Sequence, residues 1–152
     1  MSQMTEAPAA PPPDMYARRL ANKDAIKRKR LLQLVQSALK PLKKNGFNAA
    51  CFENREEARK AILDLVPPEA TIGVGGSMTI REIGVLDDLA QRGHIIQNHW
   101  QAGLSQEALL AIRRAQLTCD VFLTSTNAVT LRGQIVSTDG IGNRVCAMTF
   151  GP

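Results

Sequence analysis

Three short segments hold most of the residues able to do chemistry. In Gly75-Gly76-Ser77-Met78-Thr79, two glycines follow an apolar run directly. They let a backbone approach a ligand, and the start of the next helix offers unpaired N–H groups and a positive dipole end, which suits a phosphate or carboxylate. The plainer reading is a tight strand-to-helix turn with capping hydroxyls, and the segment is neither Gly-x-Gly-x-x-Gly nor a P-loop. Thr124-Ser125-Thr126-Asn127 also closes an apolar run. Its hydroxyls and amide can orient a polar ligand without titrating, or satisfy their own turn. In Asp139-Gly140-Ile141-Gly142-Asn143-Arg144, Asp139 is a candidate proton acceptor and Arg144 a bidentate anion holder. Against that, Asp-Gly and Gly-Asn are common turn pairs, and Asp139 paired with Arg144 at the surface would be inert. Glu82, shortly after the first segment, is the other candidate general base. His94 and His99 have no Ser or Cys nucleophile at a recognisable spacing and read as ordinary histidines, so no catalytic triad is visible.

The elements that must place these segments follow from periodicity. Residues 1–14 are rich in Ala and Pro and form an expected flexible arm. From Met15 to about Leu39, Leu20, Ile26, Leu31, Leu34, Val35 and Ala38 recur at helical spacing, and Pro41 is expected to kink or end that helix, with Asn45-Gly46 as its stop. Phe47 to Phe52 reads as a short strand, Arg55 to Leu65 as a helix, and Ala70 to Val74 as a buried strand. Ser77 or Thr79 can cap the next helix, Thr79 with Glu82 forming a capping box. Ile80, Ile83, Leu86 and Leu89 give that helix its core face, and Gly93 stops it. His94 to Asn98 supplies another strand, Ser105 caps a helix to about Leu117, and Asp120 to Thr124 returns as a strand. Arg132-Gly133 turns a hairpin between residues 128–131 and 134–137, and Val145 to Phe150 reads as a last strand. Strands alternating with helices predict an α/β, Rossmann-like three-layer sandwich on a mostly parallel sheet. Ligands bind such folds beyond the carboxyl ends of the strands, where all three segments fall.

Composition narrows the class. At 152 residues the chain is the size of one domain, and with 44% hydrophobic but only 4% aromatic residues its core is aliphatic. No apolar run approaches the roughly 18 residues of a membrane span, and no secretory leader is evident at the start, so a soluble cytoplasmic protein without a membrane partner is expected. Cys51, Cys119 and Cys146 have neither Cys-x-x-Cys spacing nor a neighbouring His. They read as buried strand thiols, and no metal site is expected. The net charge of +5 is local: residues 18–44 hold ten of the 19 bases and one acid, whereas residue 45 onward has nine bases and eleven acids. The basic helix of residues 15–45 lacks interleaved aromatics, which argues against nucleic acid.

Taken in order, Gly73 to Thr79, Arg81-Glu82-Ile83-Gly84, Ala115 to Thr124, Thr126-Asn127-Ala128-Val129 and Asp139 to Arg144 resemble the LUD (lactate-utilisation) family, and more narrowly the lactate-utilisation protein C type. The resemblance covers about Met15 to Pro152. It implies a fold similar to the glucosamine-phosphate deaminase, ribose-phosphate isomerase and coenzyme A transferase group. It also implies a place in a lactate-utilisation system whose iron–sulfur clusters sit in partner subunits, with no cofactor in this chain. The family supplies no established catalytic residue, so it carries over positions only: Gly75, Gly76, Ser77 and Thr79 on the first loop, Asn127 on the second, and Asp139, Asn143 and Arg144 on the third; with Thr126 and Gly140 from the same loops, these are the expected ligand-binding residues. Relatives continue past Phe150-Gly151-Pro152 with another strand and a helix, so an element of the sheet is expected to be missing. A homodimer or hetero-complex would then cover the exposed edge.

Three functions follow as expectations. The first is a non-redox subunit that binds an anionic small molecule in a complex oxidising L-lactate to pyruvate with iron–sulfur proteins. The second is a free-standing enzyme on a sugar phosphate or coenzyme A ester, with Asp139 or Glu82 as base. The third is a binder of nucleic acid or an acidic protein through the basic helix.

Overall fold

The computed structural model describes residues 13–152, so most of the expected N-terminal arm lies outside the described residues. The first helix, α1 (Pro13–Lys44), runs through Pro41. The expectation that Pro41 ends the helix is therefore corrected. A proline forfeits only its own N–H bond and can still accept one, and Asn45 N–H donates to the Pro41 carbonyl at 3.0 Å. The stop comes where Asn45-Gly46 predicts it. Gly46 adopts φ +92°, and the Gly46→Lys43 and Phe47→Leu42 N–H to carbonyl bonds close a Schellman cap.

Residues 47–52 are not a strand. The segment is short and apolar as read, but it joins neither of the two sheets, and Phe47 and Phe52 stay exposed. Helix α2 (Arg55–Leu65) follows, its Asn54 cap accepting the Glu57 N–H at 2.9 Å.

Three short strands form the sheet: β1 (Ile72–Val74), β2 (Ile96–Asn98) and β3 (Val121–Leu123), all parallel in the order β2-β1-β3. In register, Ile72 stands between Ile96 and Val121, and Val74 between Asn98 and Leu123. Between β1 and β2 lie α3 (Met78–Ile83) and α4 (Val85–Gln91); between β2 and β3 lies α5 (Gln106–Ala115). The one helix expected there is two, because Gly84 takes φ +77° and turns the chain between them. The capping box of Thr79 with Glu82 is likewise corrected. Ser77 is the cap, accepting Ile80 N–H at 3.1 Å, which places Thr79 inside the helix and leaves Glu82 to pair with Arg55.

The path steps from β1 outward to β2 and then back across to β3. With right-handed crossovers such a reversal sends the connecting helices to opposite faces. Side-chain direction agrees. Ile72 and Val74 point into a core with Val66, Ile80, Val85 and Leu89, whereas a Cβ on Gly73 would strike Cys119, Phe122 and Gln116 on the other face. Helices on both faces of a buried parallel sheet are the Rossmann-like α/β sandwich that the periodicity predicts. Arg59, donating through two nitrogens to Asp88, fastens α2 to α4 across the core layer.

A hairpin of β4 (Ala128–Val129) and β5 (Ile135–Val136) turns at Arg132-Gly133 as predicted, and α6 (Asn143–Phe150) ends the chain. The expected strand at residues 145–150 is thus a helix. Val145, Thr149 and Phe150 have strand character, but Asp139 binds the Gly142 and Val145 N–H groups and starts a helical turn, and the buried positions Arg144 and Ala147 fall three apart. The cysteines also depart from expectation. Cys119 is buried just before β3, Cys51 is half-buried in a loop and Cys146 is exposed on α6, so none lies in a strand.

Candidate functional site

The carboxyl ends of the three strands and the start of α6 meet around a polar cavity of about 370 Å³, lined by Gly76, His99, Trp100, Arg113, Asn127 and residues of the 139–144 segment. The reversal in strand order falls between β1 and β3, where such sheets open a crevice.

The first loop reaches the cavity through Gly76 alone among its predicted residues. A Cβ on Gly75 would stand 2.5 Å from Thr124 Oγ1, and one on Gly76 3.0 Å from the Trp100 ring. The two glycines therefore let β1 run close beside Thr124 and let Trp100 lie flat on the backbone. Arg81, from α3, stacks on the outer face of that ring at 4.0 Å from its centroid. Ser77 is buried and committed to its cap, and Thr79 faces solvent.

The second and third loops are bound together by Arg144. Its guanidinium donates to the Ser125 carbonyl at 3.0 Å, Asn127 Oδ1 at 2.7 Å and the Thr138 carbonyl at 2.5 Å. Asn127 Oδ1 also accepts Thr138 N–H at 3.0 Å, and Thr126 Oγ1 donates to the Val136 carbonyl at 2.6 Å. Asp139 accepts the N–H groups of Gly142 and Val145, at 2.9 Å for Val145. These backbone bonds, Val145 first, hold its carboxyl below the usual carboxylate range, which makes it a poor proton acceptor at neutral pH. Gly140 and Asn143 line the cavity; Glu82 does not, lying instead 2.7 Å from Arg55.

Three residues that the sequence did not place at the site, His99, Trp100 and Arg113, complete the wall, and Gln116 supports His99 from behind it. Gln116 is fully buried, its Nε2 within 2.9 Å of the Val74 and Gln97 carbonyls and of His99 Nδ1. Burial, and then the charges of Arg113 and Arg81, push the His99 pKa down, so His99 is neutral at pH 7. Trp100 meets the imidazole edge-on at 6.3 Å. Arg113, from α5, borders the cavity with its Nε buried and unpartnered among the described residues. A readable signal existed: Leu109, Ile112, Arg113 and Gln116 share one helical stripe, so a base and an amide stand on the inward face of α5.

Two guanidinium groups, one clasped and one unsatisfied, outweigh a single carboxylate here. The cavity is electropositive, water-accessible and polar, and suits a small anion. An α/β sandwich with a polar, arginine-bordered crevice at the reversal of its strand order is thus the class of protein the fold and site define. The chain belongs to the LUD-domain family, whose description matches residues 35–152. This family is associated with lactate-utilisation proteins. The match begins at Val35, so residues 15–34, which the sequence resemblance took in, lie outside it. No significant match was found among curated proteins or solved structures. Among the described residues no helix is long and apolar enough to cross a membrane.

Proposed function

We propose that this chain is a non-redox, cytoplasmic subunit that binds a small carboxylate in the Arg113–Arg144 cavity, within an assembly oxidising L-lactate to pyruvate. The observation that carries the reading is the polar cavity that two arginines, Arg113 and Arg144, border together. Guanidinium groups form strong charge-assisted hydrogen bonds to a carboxylate, and two of them at one cavity favour such an anion there. Membership in the LUD family supports lactate or its oxidation product as the carboxylate. The residues lining the cavity bind and orient; none has the donor set of an iron–sulfur centre, and the reading places those clusters in partner subunits. His99, neutral and beside Arg113 on the cavity wall, can hydrogen-bond a carboxylate, hydroxyl or keto oxygen through the tautomer that carries its proton on Nε2.

The test is to capture the chain with its partners from lactate-grown cells and assay the eluate for pyruvate formation. Co-purifying iron–sulfur proteins with activity, lost when Arg113→Gln replaces the wild type, are expected. A chain that elutes alone and inactive, or activity indifferent to Arg113→Gln, would remove the proposal.

A further inference from the structure

A second concavity, which shares no lining residue with the polar cavity, lies between α1 and the β4–β5 hairpin. It encloses about 400 Å³ and its lining is entirely aliphatic, with Leu31, Leu34, Val35 and Leu42 on the helix side and Val129 and Leu131 on the hairpin side. These are not core residues. Leu31 is 62% exposed, Leu34 44%, Val129 43% and Leu131 56%. Leu31 to Leu42 spans twelve residues, about 16 Å of helix, or roughly three turns. A partner helix of three turns presenting apolar residues at i, i+3 or i+4, and i+7 matches that length.

Charge says what kind of helix. α1 carries ten bases against two acids, Asp14 and Asp24. Among the described residues, every ion pair of the fold involves Arg55 or Arg59, so the bases of α1 are unneutralised. Lys27 and Arg28 stand one turn before Leu31 on the side of the apolar stripe, Lys43 and Lys44 follow Leu42, and Arg132 tips the hairpin. The groove is therefore apolar along its floor and basic at its ends. Seven of the ten bases precede Val35, where the family match begins, so most of this charge is added to the LUD domain. A second copy would set one strongly basic α1 against another, a like-charge arrangement that opposes docking. Nucleic acid would find cations but no stacking aromatics on an aliphatic floor. A flat lipid surface would not fill a recess between a helix and a hairpin.

We infer that this groove docks an acidic amphipathic helix of a partner protein, its apolar face between α1 and the hairpin and its carboxylates against Lys27, Arg28, Lys43 and Arg132. The contact is separate from the anion cavity, so its failure leaves the proposed carboxylate binding untouched.

The probe is a fluorescein-labelled, fifteen-residue helical peptide with leucines at i, i+3, i+4 and i+7 and glutamates elsewhere, titrated with the full chain by fluorescence anisotropy. Saturable binding is expected, weakened tenfold or more by Leu34→Asp and about tenfold by the double reversal Lys27→Glu, Arg28→Glu. It should fall as salt rises and be absent for the same peptide with lysines in place of glutamates. Leu34 is solvent-exposed, and an unchanged circular dichroism spectrum and melting temperature confirm that its variant folds. Three results overturn the inference: no saturable binding, binding indifferent to both variants, or a wild-type dimer in light scattering that Leu34→Asp converts to monomer. Tighter Leu34-dependent association with phosphatidylglycerol vesicles or duplex DNA than with the peptide would overturn it equally.

Discussion

Arg113 and Arg144 bring the same charge to the same cavity but are held differently. Arg144 spends three of its five donors on Ser125, Asn127 and Thr138, so it organises the second and third loops before any ligand arrives. Arg144→Ala is expected to lower the melting temperature as well as anion affinity, because two carbonyls and an amide lose their donor. Arg113→Gln should lower affinity with little change in melting temperature, and thermal melts beside ligand titrations distinguish the two. His99 predicts a pH dependence. Burial and the nearby arginines favour its neutral form in the fold, so this contribution to stability is complete above the unfolded value of about 6.5 and is lost as pH falls through the lowered folded value. His99→Gln should flatten the decline in melting temperature between pH 7 and pH 5. Parallel declines in wild type and variant would contradict that assignment. The carboxyl of Asp139, lowered by its backbone donors, gives up its contribution only at more acid pH, which keeps the two effects apart.

Among the elements, the hairpin depends on a close backbone approach. Gly133, at φ +76°, lies so near the Pro41–Leu42 backbone that a Cβ would collide with it, while Asn45 Nδ2 donates to the Arg132 and Gly133 carbonyls at 3.0 and 2.8 Å. Gly133→Ala should loosen the hairpin from α1, read as faster hydrogen exchange at the Thr130 and Gln134 amides, with the β1 amides unaffected. Unchanged exchange at both hairpin amides would contradict this. Ser77→Ala removes the α3 cap and is expected to cost about 1 kcal/mol. Local chemistry was legible where it is self-contained. The Ser105 cap, the Asn45-Gly46 stop, the Arg132-Gly133 turn and α2 follow from neighbouring residues alone. It was not legible where partners decide: residues 47–52 have strand character without an edge to join, and Val145 to Phe150 is helical because Asp139, several residues away, caps its start. The site divided the same way. The loops were visible from their glycines and hydroxyls, whereas His99, Trp100, Arg113 and Gln116 converge only through the parallel pairing of β1 with β2 and the packing of α5.

At the scale of the molecule, the chain separates its charge. α1 is strongly basic and lies largely on the surface, while the remainder, which holds the cavity, has more acids than bases. The order β2-β1-β3 sends helices to both faces of the sheet and gathers all three loops at one end, so the polar cavity is a product of topology rather than of a single motif. The core behind it is small and aliphatic. Truncating fully buried Leu89 is expected to cost about 2–5 kcal/mol, a large share of what a domain of this size commands. The central claim is that the cavity bordered by Arg113 and Arg144 binds a small carboxylate. It is tested most directly by calorimetric titration of the purified chain with L-lactate and with pyruvate, beside Arg113→Gln. Saturable binding of at least one of them, weakened about tenfold or more in the variant, is the predicted result. No heat of binding with either acid, or equal affinity in both proteins, would contradict it.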